Sequence, residues 1–274
     1  MRNYLILTCL LTGCASADPV PTDTEETPLA PLADTVTYTT INGFTNLPSA
    51  NDYFCHPTKF QGSGAHSQSV VLQWGVVATG GTWSQQPGSS AAIPNDPQNI
   101  GFGSIKTQCD KWHLFHGSGG GLAPGATQGW NYAGGSTPQA VSGSVQAYYK
   151  DSVCWLSFLN GLSNASEKTW IDDTSNPWVY VLNSVGFKSL TSSASCAWLG
   201  RPLSGAQWLT ATIPQSPFSS YGSFNSSSSN KGVCLIMSVE GNLDDGSVEI
   251  VPGNQMMLRV TGGVSKATAM CFPY

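Results

Sequence analysis

Val233-Cys234-Leu235-Ile236-Met237-Ser238-Val239-Glu240-Gly241 opens a stretch that closes with Gly263, Val264 and then Cys271. The opening recurs twice upstream, as Cys55 with Gly62 and as Cys154 with Gly161, glycine standing seven residues after cysteine each time. The residue before cysteine is Phe54, Val153 or Val233, and five after it comes Phe60, Leu159 or Val239. A polar Gln61, Asn160 or Glu240 precedes each glycine. The closing recurs as Ile100-Gly101-Phe102 before Cys109 and as Val185-Gly186-Phe187 before Cys196. An apolar run that ends on glycine reads as a strand whose end turns with positive φ. We therefore expect one Cys-to-Cys unit used three times, at about residues 50–116, 148–200 and 230–274. Loops of variable length on a fixed set of strands account for Cys-to-Cys separations of 54, 42 and 37.

Working outward, further strands are predicted at 36–41, 70–77, 144–149, 153–159, 178–182, 207–213, 233–239, 247–251 and 256–260. β-Branched and aromatic residues fill these runs, and Gly, Asn, Asp and Pro punctuate them. Asp245-Gly246 and Gly253-Asn254 read as hairpin turns. No stretch sustains helical periodicity. The expected fold is all-β, a disulfide-stapled repeat of three β-meander units, sandwich- or barrel-like, over residues 35–274. Charged residues are only 10% of the chain, yet 40% hydrophobic content with nine Trp and nine Tyr is enough for a core.

The net charge of −5 is concentrated at one end. Asp18, Asp23, Glu25, Glu26 and Asp34 precede residue 35, which leaves eleven acidic and ten basic residues in the body. No basic run exists to meet nucleic acid or an anionic membrane surface.

The N-terminus carries its own signal. Arg2 precedes an apolar run over 4–11, too short to span a bilayer and right for a signal-peptide core. Leu11-Thr12-Gly13-Cys14 then resembles the lipobox of bacterial lipoproteins. The resemblance implies a signal peptide over 1–13 and lipidation of Cys14, which becomes the new N-terminus. Ala15 rather than Asp after the cysteine is similar to lipoproteins sent to the outer membrane of two-membrane bacteria. Residues 14–34 then form an acidic tether with Pro19, Pro21, Pro28 and Pro31. Extended as polyproline II, it reaches roughly 60 Å at ~3.1 Å per residue.

Setting aside Cys9 and Cys14 leaves Cys55, Cys109, Cys154, Cys196, Cys234 and Cys271. An even count in an exported chain predicts three disulfides. The repeat argues for Cys55–Cys109, Cys154–Cys196 and Cys234–Cys271; the rival scheme links neighbouring units and joins Cys55 to Cys271. The opening Cys154-Trp155-Leu156-Ser157 also resembles repeat units in uncharacterised exported proteins of soil bacteria, which have no activity to carry over.

Chemistry-bearing groups are sparse. His113 and His116 have metal-like spacing, with His56 and His66 elsewhere, but no zincin glutamate lies between them. No metal site is expected. Asp172-Asp173 and Asp244-Asp245 read as turn residues at related places in two units, and are where calcium would bind if it binds at all. Gly117 to Gly121 lacks the Lys-Ser/Thr pair of a phosphate loop, and residues 225–230 read as a Ser/Asn linker. Ser228 and Lys231 match a Ser-x-x-Lys count without the rest of that signature, and no Gly-x-Ser-x-Gly elbow occurs. Trp112, Trp130, Trp170, Trp198 and Trp208 fall near strand ends or loops, where one or two are expected to be exposed.

With no catalytic residues identified and no cofactor implied, the expected function is non-enzymatic: a surface lipoprotein with a structural or adhesive role. The alternatives are a carbohydrate-binding module using exposed Trp and a hydrolase of unfamiliar type. Expected partners are the membrane, through the lipid, and a polysaccharide or an envelope protein. Metabolic labelling with palmitate is expected to mark the full-length chain and to be lost in Cys14→Ser. Undiminished label in that variant would rule out the lipobox reading.

Overall fold

The computed structural model describes residues 35–40, 45–49, 52–62, 72–79, 82–89, 104–111, 121–122, 129–133, 139–145, 152–162, 164–172, 180–186, 190–199, 205–214, 218–221, 232–252 and 255–273. The leader, Cys14 and the tether lie outside them. The first strands are β1 Thr35–Thr40, β2 Thr45–Ser49, β3 Tyr53–Gln61, β4 Leu72–Thr79, β5 Thr82–Ser89 and β6 Ser104–Lys111. Then come β7 Gly121–Leu122, β8 Gly129–Ala133, β9 Gln139–Val145, β10 Ser152–Asn160, β11 Lys168–Asp172, β12 Tyr180–Gly186 and β13 Leu190–Trp198. Last are β14 Gln207–Thr212, β15 Phe218–Tyr221, β16 Gly232–Gly241, β17 Ser247–Val251, β18 Met256–Thr261 and β19 Val264–Pro273. Among the described residues there is no helix.

The strands form three open antiparallel sheets. The first runs β1-β6-β3-β17-β18-β15 and the third β14-β19-β16-β11-β12-β9. The second runs β2-β5-β4-β10-β13, with β7 and β8 both on the far edge of β13. One order underlies all three. An edge strand flanks a strand bearing the closing cysteine, which pairs with the strand bearing the opening cysteine. Beside that lies a hairpin borrowed from another unit. β4-β5 joins β10, β11-β12 joins β16, and β17-β18 returns to β3. The hairpin between two paired cysteines therefore does not lie between them as in a meander; it completes the next sheet. The unit of pairing also begins two strands upstream of the Cys-to-Cys stretch, with β1-β2, β8-β9 and β14-β15.

The opening strands β3, β10 and β16 contact one another at the centre. Phe54, Val153, Leu159, Val233 and Val239 are fully buried on them, so near-continuous apolar runs suit strands covered on both faces. Each is bulged at the third residue after its cysteine: Thr58, Ser157 and Met237. A bulge bends the strand and raises its twist. Before it, among the described residues, the opening strand pairs only with its own closing strand. After it, three residues also pair with the borrowed hairpin: Lys59–Gln61, Phe158–Asn160 and Ser238–Glu240.

The disulfides lie in the half before the bulge. Cys55–Cys109, Cys154–Cys196 and Cys234–Cys271 join directly opposed residues, so the pairing is the within-unit scheme. All six cysteines are fully buried. In the chain-entropy model each bridge stabilises by about 4 kcal/mol.

Closing strands such as β13, Leu-Thr-Ser-Ser-Ala-Ser-Cys-Ala-Trp, carry no apolar run and were not expected as strands. Small residues are needed there because bulky ones face them, as Ser195 faces Trp155. Their hydroxyls are paired. Thr169 donates to Ser192 at 2.8 Å, Ser184 and Ser192 are 2.7 Å apart, and Ser157 and Ser193 are 3.2 Å apart. The run predicted at 144–149 overlaps β9 at Ser144 and Val145, and 146–149 lie outside the described residues.

The glycines after the openings mark strand ends, for two different reasons. Gly161 and Gly241 have φ of 78° and 109°. Gly62 does not adopt positive φ; instead its Cβ would lie 2.2 Å from the Leu243 carbonyl oxygen and 2.5 Å from that of Asp244. Backbone bonds tie the corners of all three units here. Gly62 N–H donates to Gly246 O, Gly241 N–H to Glu167 O and Leu243 N–H to Leu162 O. Asp245-Gly246 is thus not the expected hairpin turn but a corner, since β16 and β17 belong to different sheets. Gly253-Asn254 lies outside the described residues, between β17 and β18, which do pair.

Gly62→Ala is expected to destabilise by about 1–3 kcal/mol or more through this overlap with rigid backbone. Gly161→Ala should cost about 1–2 kcal/mol for the left-handed conformation alone. Guanidinium unfolding compares them, and a neutral Gly62→Ala would exclude the close approach.

Candidate functional site

The repeated frame allows equivalent positions to be compared within one chain. One residue after the opening cysteine stands His56, Trp155 or Leu235, opposite Gln108, Ser195 or Met270. One residue before it stands Phe54, Val153 or Val233, opposite Asp110, Ala197 or Phe272. The second and third units fill these places with hydrocarbon or small residues. The first buries an imidazole at 1% exposure and a carboxylate at 0%. Burying such groups costs free energy unless they are paired, and a departure from good core packing marks a place held for another reason.

Asp110 is well held. The Thr35 hydroxyl donates to its Oδ1 at 2.6 Å, and Gln108 Nε2 donates to its Oδ2 at 2.8 Å. His56 Nε2 lies 3.5 Å from Oδ2, too far for a good hydrogen bond, and neither ring nitrogen has another partner. The His56 ring packs 5.1 Å from the ring of Phe54, which meets Trp155 edge-on at 4.7 Å. An imidazole beside a carboxylate is suited to acid–base work. Here it is sealed from solvent, so what the cluster does in this conformation is position Gln108.

Gln108 lines a pocket of about 170 Å³. β3 pairs with β17 only after the bulge, so the two strands splay apart ahead of it and the pocket opens in the fork. Thr37, Thr58, Lys106 and Gln108 form a polar wall, and Ile250, Pro252 and Met256 an apolar one.

The outer face of the third sheet offers a second arrangement. Thr210, Thr268, Ser238, Trp170 and Asn183 stand in register as one row across five strands. The hydroxyls of Ser238 and Thr268 are 2.7 Å apart. Trp208 precedes Thr210 on the same face and is 45% exposed. Trp170 is half-buried, with the Lys168 ammonium 4.8 Å above its ring. Three strand spacings and two residues separate the tryptophans, roughly 15 Å between Cα atoms.

Acidic residues gather at the corner of the third unit. Burial pushes the Asp244 carboxyl up to about 7, helped by the charges of Asp245 and Glu167. Glu167 is buried at 1% exposure, and its Oε2 accepts from Asn164 N–H at 2.9 Å. Asp172, by contrast, ends β11 in a paired position, so the two Asp pairs do not occupy related places. Asp244-Asp245 precedes the hairpin of its unit, in the corner between β16 and β17, whereas Asp172 lies within the hairpin of its own, at the end of β11.

Among the described residues no group of His, Cys, Asp and Glu is arranged to hold a metal ion. His66, His113, His116, Trp112, Asp173, Ser228 and Lys231 lie outside the described residues, as do the side chains of Trp130 and Trp198. His56 and Asp110 were missed as a pair because nothing in sequence links them; comparing the unequal contents of the three units was the available signal. The chain matches no protein-family model, no curated protein and no solved structure.

The raised Asp244 value has a direct consequence. A folded carboxyl that titrates at about 7 rather than 3.8 holds its proton more tightly than the unfolded chain does. The stability this adds is complete below 3.8 and is lost as pH rises through about 7. Denaturant unfolding across that window should show the wild type losing more stability than Asp244→Asn. Parallel profiles would mean that Asp244 keeps its ordinary value.

Proposed function

We propose that this chain is a surface-anchored, non-enzymatic lipoprotein with an adhesive or interaction role. In this reading the leader exports it, Cys14 carries the lipid, and the acidic Pro-rich segment serves as a stalk. The β body is the rigid head, presented from the outer membrane of a two-membrane bacterium. Three buried disulfides support it, because such bridges form and persist in oxidising compartments.

The observation that favours a glycan ligand is the outer face of the third sheet. Tryptophan rings stack on the C–H faces of sugars, and hydroxyl side chains exchange hydrogen bonds with sugar hydroxyls. Trp208 and Trp170 flank such a hydroxyl row on a face held by paired strands. Rigid presentation limits the entropy lost on binding. Calcium is not needed in this reading.

Co-sedimentation with peptidoglycan, cellulose, chitin and bacterial exopolysaccharides tests it. Saturable binding that falls roughly tenfold or more in Trp208→Ala is expected, the loss of one aromatic anchor. Binding of equal strength in wild type and variant would remove this face from the reading. No binding to any of the polysaccharides would leave a protein partner in the envelope as the ligand.

A further inference from the structure

We propose that the fork pocket of the first sheet binds a small hydroxylated carboxylic acid of the sugar-acid type. The site is separate from the face of the third sheet and does not rest on it.

Arg259, Glu249, Lys59 and Lys106 stand in register across β18, β17, β3 and β6. That row sets three cations against one carboxylate, and Arg259 takes the carboxylate through a hydrogen-bonded ion pair. Lys59 and Lys106 oppose each other directly, an arrangement that destabilises a sheet unless an anion is near. Among the described residues neither has an ion pair, and Lys106 lines the pocket. The nearby carboxylate of Asp110 does not supply the anion, being buried and engaged by Thr35 and Gln108.

The polar wall adds a second requirement. A carboxylate only accepts, so Gln108 turns its amino group to Asp110, which leaves its carbonyl oxygen as the free acceptor. The Thr58 hydroxyl donates to the Lys106 carbonyl at 3.2 Å, and its oxygen likewise retains acceptor capacity. A ligand matching this wall carries hydroxyl donors as well as a carboxylate. Ile250, Pro252 and Met256 opposite suit the C–H face of a ring. At about 170 Å³ the pocket is smaller than the sites that take drug-sized ligands, and suits a single ring. Burial of Asp110 and His56 in the first unit alone has its use here, as the support that pins Gln108 in one orientation.

Isothermal titration of the whole protein with glucuronate, galacturonate and uncharged glucose tests the proposal. Saturable binding of at least one acid is expected, with glucose weaker by roughly tenfold or more for want of the charge-assisted bond. Lys106→Gln should weaken the acid by a similar factor while leaving the unfolding midpoint near the wild-type value, and Gln108→Leu should weaken it and also lower that midpoint, because it takes a donor from the buried Asp110 carboxylate. Trp208→Ala should leave acid binding unchanged, which separates this site from the glycan face. A parallel titration with oligogalacturonide tells whether the acid is taken as a free molecule or as a residue within a polysaccharide; binding of either supports the site. Equal affinity for glucose and both acids, no binding of any acid, or an unaltered affinity in a folded Lys106→Gln would overturn it.

Discussion

The bulge three residues after each opening cysteine is the constraint on which the other features depend. It divides every opening strand into two halves with different partners. In the first half the strand belongs to its own closing strand, locked by a buried disulfide. In the second it is shared with a hairpin from the unit before it. No unit can complete a sheet by itself, because an isolated opening strand would leave one edge unpaired. The chain closes the ring when its last hairpin returns to β3, so the first unit cannot finish its sheet until the third is made. Ordinary solenoid repeats stack on neighbours and end in capping units. Here the two ends serve each other instead.

The same division creates the pocket. Strands that pair for only three residues splay beyond them, and the fork in the first sheet is lined by whatever those positions carry. The three sheets share one strand order, while the side chains at corresponding register positions vary. Trp155 with Ser195 and Leu235 with Met270 fill the shared position by complementary volume. His56 with Gln108 fills it with polar groups, and Asp110 adds a charge one pair away. A core that could be hydrocarbon twice over, but is polar once, carries a cost only in the unit where it supports something else.

Much of the candidate chemistry was legible only in part. Trp208 was visible as a candidate, and its exposure follows from an alternation in β14 in which Leu209 and Ala211 point inward. Trp170 was visible too, but its neighbour Ser238, and Thr268 beyond that, come from strands far away in sequence, so the hydroxyl row could not be foreseen. His56 stands far in sequence from His113 and His116, and no motif marks Asp110. The pair forms because β3 and β6 are neighbours in the sheet although a long segment separates them.

What the sequence determined alone was local: strands where apolar and β-branched residues run together, glycine at the ends of the openings, and cysteines whose recurrence pointed to pairing within units. These signals act through the backbone conformation and burial of neighbouring residues, so they survive in a linear reading. Tertiary structure decided the rest. It made a strand of the Ser- and Ala-rich segment β13, where bulky neighbours such as Trp155 leave room for small residues with paired hydroxyls. It sent each hairpin to another unit's sheet, and it required glycine at Gly62 through the nearness of the Leu243 and Asp244 carbonyls. Such choices depend on which surfaces meet once the ring of units has closed, and no window along the chain contains both surfaces.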